Sequence, residues 1–189
     1  NGADKNMRNC PQGIHNFLRA YFHFKSADHS QNQPFPLNAW SADELSKLPR
    51  YYIMNLEDGM AETVAKEMPT TREARSCKWL SDWDLSLYSD IYKITGFQGG
   101  LNWYRARFNK TCSQELETFS GHQIEVPSCF VSGKQDWGTY QVPGSYEKMN
   151  GQSCTNFKGY HLIENAGHWV QQEQPIKVKE ILLKFLESL

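Results

Sequence analysis

Two side chains that could act together in acid–base chemistry follow two apolar segments of the chain. Asp136 comes three residues after the segment 124–133, and His168 follows the segment 160–164 after a short Asn-Ala-Gly turn. A carboxylate that accepts a hydrogen bond from an imidazole fixes the tautomer of the ring and stabilises its cationic form. Such a pair supplies the base and its orienting group in nucleophilic catalysis. Taken singly, Asp136 could be a solvated turn residue and His168 a turn or cap residue.

Two parallel strands would bring this pair together. Segments 124–133 and 160–164 are short and mostly apolar, which predicts buried strands. Residues 143–149 predict a helix between them, and residues 174–188 predict an amphipathic helix after them. The β-α-β-α order is typical of the end of a doubly wound α/β sheet, whose functional groups lie beyond the carboxyl ends of the strands. Two strands cannot form a sheet that is buried on both faces, so we expect partner strands from sequence not present here.

The amino-terminal region, residues 1–110, predicts short helices joined by loops, with almost no strand signal. A capping box of Ser41 and Glu44 begins one short helix, which ends before Pro49. The other predicted helices cover 11–26, 59–67, 71–79, 83–94 and 100–108. The apolar residues of the first and longest lie on one helical face: Ile14, Phe17, Leu18, Tyr21 and Phe22. Those of the 83–94 helix also lie near one face: Trp83, Leu87, Ile91 and Ile94.

Composition excludes several classes of partner and cofactor. The 189 residues carry 20 Lys+Arg and 21 Asp+Glu, a net charge of −1, which gives no electrostatic case for a nucleic-acid or anionic-membrane partner. No apolar run approaches the ~18–20 residues of a membrane span. Five irregularly spaced cysteines indicate free thiols in a reducing, cytoplasmic compartment. The histidines lack metal-ligand spacing, so we expect no metal and no organic cofactor.

Three segments resemble the soluble epoxide hydrolase group of the α/β-hydrolases. Residues 166–175, Ala-Gly-His-Trp-Val-Gln-Gln-Glu-Gln-Pro, are similar to the family's histidine segment, and residues 131–136 to its acid-bearing strand and turn. Residues 95–105, Thr-Gly-Phe-Gln-Gly-Gly-Leu-Asn-Trp-Tyr-Arg, are similar to a cap segment of the family, with Gly100 where the family usually has proline. A weaker match covers 51–62. The resemblance implies an α/β-hydrolase fold in which residues 1–110 form a helical cap and residues 111–189 the carboxyl-terminal β-α-β-α of the core.

The resemblance also implies roles for individual residues. Tyr104 would be one of two cap tyrosines whose hydroxyls hold and polarise an epoxide oxygen, and the alignment places the second at Tyr51, with Tyr52 one residue away. In the family mechanism an aspartate nucleophile opens the epoxide and forms an ester, while the tyrosines stabilise the alkoxide. The histidine, oriented by the acid, then activates water to release a diol. The substrate implied is a small apolar epoxide or ester, and three tryptophans adjacent to these positions could line its pocket: Trp103, Trp137 and Trp169.

The nucleophile of that mechanism is missing from the sequence. There is no Gly-x-Ser-x-Gly or Gly-His-Asp elbow, and Asp28 and Asp58 do not follow apolar strands. Together with a first residue that is Asn rather than Met, this suggests that the amino-terminal part of the hydrolase core is supplied elsewhere and that these residues alone are inactive. Two alternatives remain: another α/β-hydrolase activity, such as ester hydrolysis or dehalogenation, and a truncated, catalytically dead relative that binds a ligand or a partner.

Overall fold

The computed structural model describes residues 2–189, and its amino-terminal part is built from helices. The six helices that the sequence predicts between residues 11 and 108 are all present, although their ends differ by a few residues. Two short and mostly polar helices, Ala3–Arg8 and Lys110–Glu117, have no counterpart in the prediction. The helices that precede the first strand are α1 Ala3–Arg8, α2 Gly13–Lys25, α3 Ala42–Leu45, α4 Met60–Ala65, α5 Thr71–Ser76, α6 Asp82–Thr95, α7 Gln98–Ala106 and α8 Lys110–Glu117.

Side-chain caps begin several of these helices. At α3 the predicted capping box is only half formed, because Ser41 Oγ accepts the Glu44 N–H at 3.4 Å but the Glu44 carboxylate accepts the N–H of Asn38 at 2.9 Å instead. The chain before α3 turns back and brings Asn38 within reach of that carboxylate. Complete capping boxes begin α5 at Thr70 and α6 at Ser81, where each pairs two otherwise unbonded backbone donors.

The core of the helical part forms around α2. Its side chains Ile14, Phe17 and Leu18 are buried, as their spacing predicts, while Tyr21 and Phe22 are half-buried. The helix packs against α4 and α6. Its last residue, Lys25, is also buried. The buried face of α2 therefore continues to the carboxyl-terminal end of the helix, which lies at the site described below.

The face of α6 that packs against this core is not the apolar face that the sequence predicts. Leu85 is fully buried and belongs to the cluster around α2. The helix carries two apolar stripes, and α2 covers the one that contains Leu85. The other stripe is exposed in the described structure and consists of the residues on the predicted face: Trp83, Leu87, Ile91 and Ile94.

Substituting the two leucines of α6 tests this orientation. We expect Leu85→Ala to lower the free energy of unfolding by about 2–5 kcal/mol, because it removes buried methyl groups and leaves a cavity. Leu87→Ala is the matched control, since Leu87 is 50% exposed on the same helix, and we expect it to cost less than about 1 kcal/mol. Urea denaturation of both variants measures the difference. Equal costs for the two variants would contradict the assigned face.

The carboxyl-terminal part contains a parallel pair of strands, as the sequence predicts. They are β1 Ser128–Gly133 and β2 Phe157–Ile163, and Gly133 lies opposite Ile163 where both strands end. β1 begins at Ser128 rather than at the predicted residue 124, because Pro127 has no N–H to donate to a ladder. β2 begins three residues before the predicted 160 and ends at Ile163.

Short helices and one long helix complete this part. A 3₁₀-helix follows β1 at Trp137–Thr139, and α9 Ser145–Lys148 lies between the strands. α9 is shorter than the predicted 143–149, because Gly144 adopts a left-handed conformation with φ 75° and starts the helix after it. α10 Val170–Glu173 and α11 Pro175–Glu187 follow β2, and α11 confirms the amphipathic helix predicted at 174–188.

The two-stranded sheet of the described residues is covered on one side by α11. Val178 of α11 packs in a small cluster with Ile163, Ala166 and Val170. Other apolar residues of α11 are exposed: Ile176, Leu182, Leu183 and Leu186. These residues form an exposed apolar surface on α11, and the further partner strands stay a prediction. Among the described residues, no helix is long and apolar enough to cross a membrane.

Candidate active site

Asp136 and His168 meet at the carboxyl edge of the strand pair. The His168 Nδ1 atom lies 3.2 Å from Asp136 Oδ1 and 3.4 Å from Oδ2. Because β1 and β2 are parallel, the loops that follow them leave the sheet on the same side. The contact uses one ring nitrogen of His168 and leaves Nε2 as the atom that can exchange a proton with another group. The structure thus brings together the two residues that the strand ends predict.

Close backbone packing fixes the distance between the two loops. A Cβ atom added at Gly133 would lie 2.2 Å from the carbonyl oxygen of Gly167, and one added at Gly167 would lie 2.6 Å from the carbonyl oxygen of Lys25. Neither position has room for a side chain. The loop after β2 is also shaped by Asn165, which has a positive φ of 54°. Glycine at positions 133 and 167 therefore allows backbone contact between the loop of Asp136, the loop of His168 (the histidine loop) and the end of α2.

The Asp136 carboxylate is held ionised despite its burial. Burial is the largest influence on its pKa and raises it, but the hydrogen bond and charge of His168, the Gly138 N–H and the Lys25 ammonium together lower the pKa below its usual value. The Gly138 N–H donates to Oδ1 at 2.8 Å, and the Ser132 hydroxyl lies 3.4 Å from Oδ2. These contacts keep an ionised oxygen beside the histidine ring.

Glu173 anchors the backbone on both sides of His168. Its carboxylate accepts the N–H groups of Gly167 and Trp169, each at 3.0 Å, and the N–H of Ala27 at 2.7 Å. The N–H of His168 itself donates to the carbonyl oxygen of Lys25 at 2.9 Å. Three successive amides of the histidine loop are therefore held, and the same carboxylate ties that loop to the segment after α2.

Removing the Glu173 carboxylate should loosen the histidine loop. We expect Glu173→Ala to lower the free energy of unfolding by about 3 kcal/mol, because it leaves three backbone donors without their charged acceptor. Glu164→Ala is the control, since Glu164 is exposed and its only side-chain contact in the described structure is an ion pair with Lys134; such pairs contribute about 0–1 kcal/mol. Equilibrium unfolding measures both, and comparable small losses would contradict the anchoring role.

The rings of Tyr21, Tyr51 and Tyr52 lie next to Lys25, whose carbonyl oxygen accepts the N–H of His168. The Tyr51 hydroxyl is buried and donates to Asn32 Oδ1 at 3.3 Å. Burial is the main reason why the pKa of Tyr52 is raised, and the charge of Asp136 is the next. Burial likewise raises the pKa of Tyr21 to about 12. Tyr104 itself is 63% exposed on α7.

Comparisons with known proteins agree on one class. No protein-family model matches the chain. Epoxide hydrolase B of Mycobacterium tuberculosis is 31% identical over 115 residues, which cover 59% of this chain and 30% of that protein. Epoxide hydrolase A of the same organism is 34% identical over 120 residues, which cover 59% of this chain and 33% of that protein. The solved structure of an epoxide hydrolase from an endophytic Streptomyces superposes with a TM-score of 0.70 at 22% identity, over 98% of this chain and 48% of that one.

This chain is similar to epoxide hydrolases. It has the α/β-hydrolase fold in part: two strands of the sheet and the helices around them are present in the described residues. The chain spans about a third of the length of the curated relatives that it matches and about half the length of the solved structures.

The three tryptophans of the hydrolase-like segments lie in different environments. Trp169 packs its ring edge-on against that of His168, with centroids 4.9 Å apart, and donates its indole N–H to the carbonyl oxygen of Phe22. Trp137 is buried and packs edge-on against Phe35. Trp103 is 77% exposed on α7. Of the three, Trp169 is the one that contacts the acid–base pair, and a pocket wall formed by all three stays a prediction.

Lys25 is a residue of the site that sequence reasoning missed. Its ammonium lies 5.3–5.5 Å from the centroids of four aromatic rings, those of Tyr21, Tyr51, Tyr52 and Trp169. Burial lowers its pKa to about 8, and the charge of Asp136 opposes that shift. The four rings come from α2, the loop after α3 and the histidine loop, so no single segment of the sequence contains the signal. Among the described residues, no cluster of His, Cys, Asp and Glu could hold a metal ion.

The pKa of Lys25 should make stability depend on pH. The unfolded chain keeps this proton up to its ordinary pKa of 10.5, whereas the folded chain releases it near 8. Between these values the unfolded state binds more protons, so stability rises with pH. We expect the wild type to gain about 2–3 kcal/mol relative to Lys25→Met between about pH 8 and about pH 10. Urea unfolding at a series of pH values measures this, and parallel curves for the two proteins would contradict it.

Proposed function

We propose that this chain carries the acid–base pair and the cap tyrosines of an enzyme that hydrolyses epoxides to diols. The observation that carries the proposal is the contact between His168 Nδ1 and Asp136 at the carboxyl ends of adjacent strands. That geometry fits a base and its orienting group. The similarity to epoxide hydrolases supplies the reaction class.

In the proposed reaction, an aspartate from the part of the fold that these residues do not contain attacks an epoxide carbon. The C–O bond breaks, the ring oxygen becomes an alkoxide that takes a proton from a tyrosine hydroxyl, and a covalent ester forms. His168 Nε2 then takes a proton from water, and the resulting hydroxide attacks the ester carbonyl. The diol leaves with the oxygen that the aspartate had donated. Asp136 stabilises the imidazolium formed in between, whose proton then returns to the tyrosine that protonated the alkoxide.

The tyrosines would donate hydrogen bonds to the opening oxygen. Phenols suit this role because they stay protonated at neutral pH, and burial raises the pKa of Tyr52 further. We propose Tyr104 and Tyr52 as the pair. The hydroxyl of Tyr51, which the alignment favours, already donates to Asn32 and is therefore less available to a substrate oxygen. Residues 1–110 would then form the cap and residues 111–189 part of the core.

The exposed apolar residues support the proposal that further core structure covers this part. Leu182, Leu183 and Leu186 leave an apolar surface on α11 beside a sheet of two strands. A large apolar surface of this kind is typical of an interface. We propose that the amino-terminal half of the hydrolase core, which also supplies the nucleophile, packs there.

A substrate panel tests the proposed reaction. The complete protein should convert aryl and alkyl epoxides to diols, with much slower turnover of matched aryl esters and haloalkanes, because only an epoxide presents an oxygen for the tyrosines to polarise. Diol formation is read by chromatography. Preferred turnover of the esters or halides would favour another α/β-hydrolase activity. Binding of the epoxides without turnover would favour a catalytically inactive relative.

A further inference from the structure

The Lys25 ammonium is a buried positive charge without a paired anion. Lys25 is 7% exposed, and among the described residues its Nζ atom has neither a hydrogen bond nor an ion pair. Several other lysines of the chain do pair with carboxylates, among them Lys66 with Asp58 and Lys134 with Glu164. The ammonium of Lys25 is instead surrounded by the aromatic rings described above.

The carboxylate of the acid–base pair already has hydrogen-bond partners. Asp136 influences the Lys25 ammonium by its charge, but its two oxygens accept hydrogen bonds from His168, the Gly138 N–H and the Ser132 hydroxyl. Unlike the fully buried polar side-chain atoms that lack a partner, the Lys25 Nζ atom is not completely shielded from solvent. The Lys25 Nζ atom therefore keeps contact with solvent at one edge of the aromatic rings.

We propose that Lys25 is an anion-binding group of this site, and that the site takes small apolar epoxides that carry a carboxylate. The aromatic rings supply the apolar wall that the body of such a molecule needs, and the ammonium supplies the charge that its carboxylate needs. The inference rests on the proposed function, since it names the substrate class of the same site.

The energetics favour an anionic over a neutral ligand. Aromatic faces stabilise an ammonium, yet the lowered pKa of Lys25, about 8, shows that burial still disfavours its charged form. A bound carboxylate would offset that cost through a charge-assisted hydrogen bond. A neutral molecule of the same shape would gain the contact with the rings but not the charge-assisted hydrogen bond.

A binding experiment without turnover tests the inference. Benzoate and its neutral isostere benzamide are titrated against the chain by calorimetry, and we expect benzoate to bind at least about 10-fold more tightly. Lys25→Met should remove that preference. Lys158→Met, which removes an exposed lysine of β2, should leave it unchanged. Lys25→Arg should keep it, because the positive charge remains.

Equal affinity for the two ligands, or an unchanged preference in Lys25→Met, would overturn the inference. If Lys25→Met does not fold, the wild type decides: benzoate should shift the NMR signal of the Lys25 Cε group and not that of Lys158, and the reverse would overturn the proposal. The benzoate preference and epoxide turnover are measured separately. Loss of the benzoate preference would overturn the role of Lys25 alone, and absence of epoxide turnover would overturn the proposed function alone.

Discussion

His168→Gln is expected to lower turnover of an aryl epoxide by at least about 1,000-fold in the protein that also contains the proposed nucleophile. Glutamine keeps a side chain that can hydrogen-bond to Asp136, but it cannot take a proton from water. The nucleophile would still open the epoxide, so the ester should form and persist. Intact-protein mass spectrometry is therefore expected to show one substrate molecule covalently attached to the variant.

The matched control for this experiment is His122→Gln. His122 is exposed and its ring contacts only Phe119 among the aromatic residues of the described structure, so this variant should turn over like the wild type and carry no adduct. Loss of turnover in His168→Gln without an adduct would mean that the histidine acts before ester formation. Full activity in His168→Gln would remove His168 from the mechanism.

The second large effect concerns the adjacent tyrosines. We expect Tyr52→Phe to lower kcat/KM for an aryl epoxide by about 100–1,000-fold, the loss typical of removing one donor to a developing oxyanion. Tyr51→Phe should cost less than about 10-fold in kcat/KM, because its hydroxyl bonds to Asn32, and should act mainly by lowering stability by about 1 kcal/mol. Steady-state kinetics and thermal unfolding on both variants separate the two effects.

Tyr104→Phe completes this comparison and should resemble Tyr52→Phe in its kinetics. Tyr104 is paired with Tyr52 because the hydroxyl of Tyr51 is already bonded to Asn32. A larger kinetic loss in Tyr51→Phe than in Tyr52→Phe would restore the assignment that the alignment favours. Intact activity in all three variants would contradict epoxide ring-opening and favour ester or halide hydrolysis.

The features that local sequence predicts here are those that depend on short-range spacing. The apolar face of α2, the parallel strands and the meeting of Asp136 with His168 all follow from periodicity and from where strands end. The buried face of α6 does not, because two apolar stripes compete and only packing against α2 chooses Leu85 over Leu87. A single helix contains no information about that choice.

The sequence does not predict the supporting residues of the site, because their partners lie in distant segments of the chain. Glu173 acts through backbone donors at Ala27, Gly167 and Trp169, and one of these is far away in sequence. Lys25 becomes a buried cation only when rings from separate segments close around it. A lysine at the end of a helix ordinarily predicts a solvated charge that complements the helix dipole, so no local pattern distinguishes it.

A single-turnover experiment in ¹⁸O-labelled water tests the covalent pathway most directly. The complete enzyme, in excess over an aryl epoxide, is allowed one turnover, and the diol and the peptides of the enzyme are analysed by mass spectrometry. If His168 activates water against an ester, the label must enter a carboxylate of the enzyme, and the first diol must be unlabelled. Label in the first diol and none in the enzyme would show direct attack of water on the epoxide and would contradict the account.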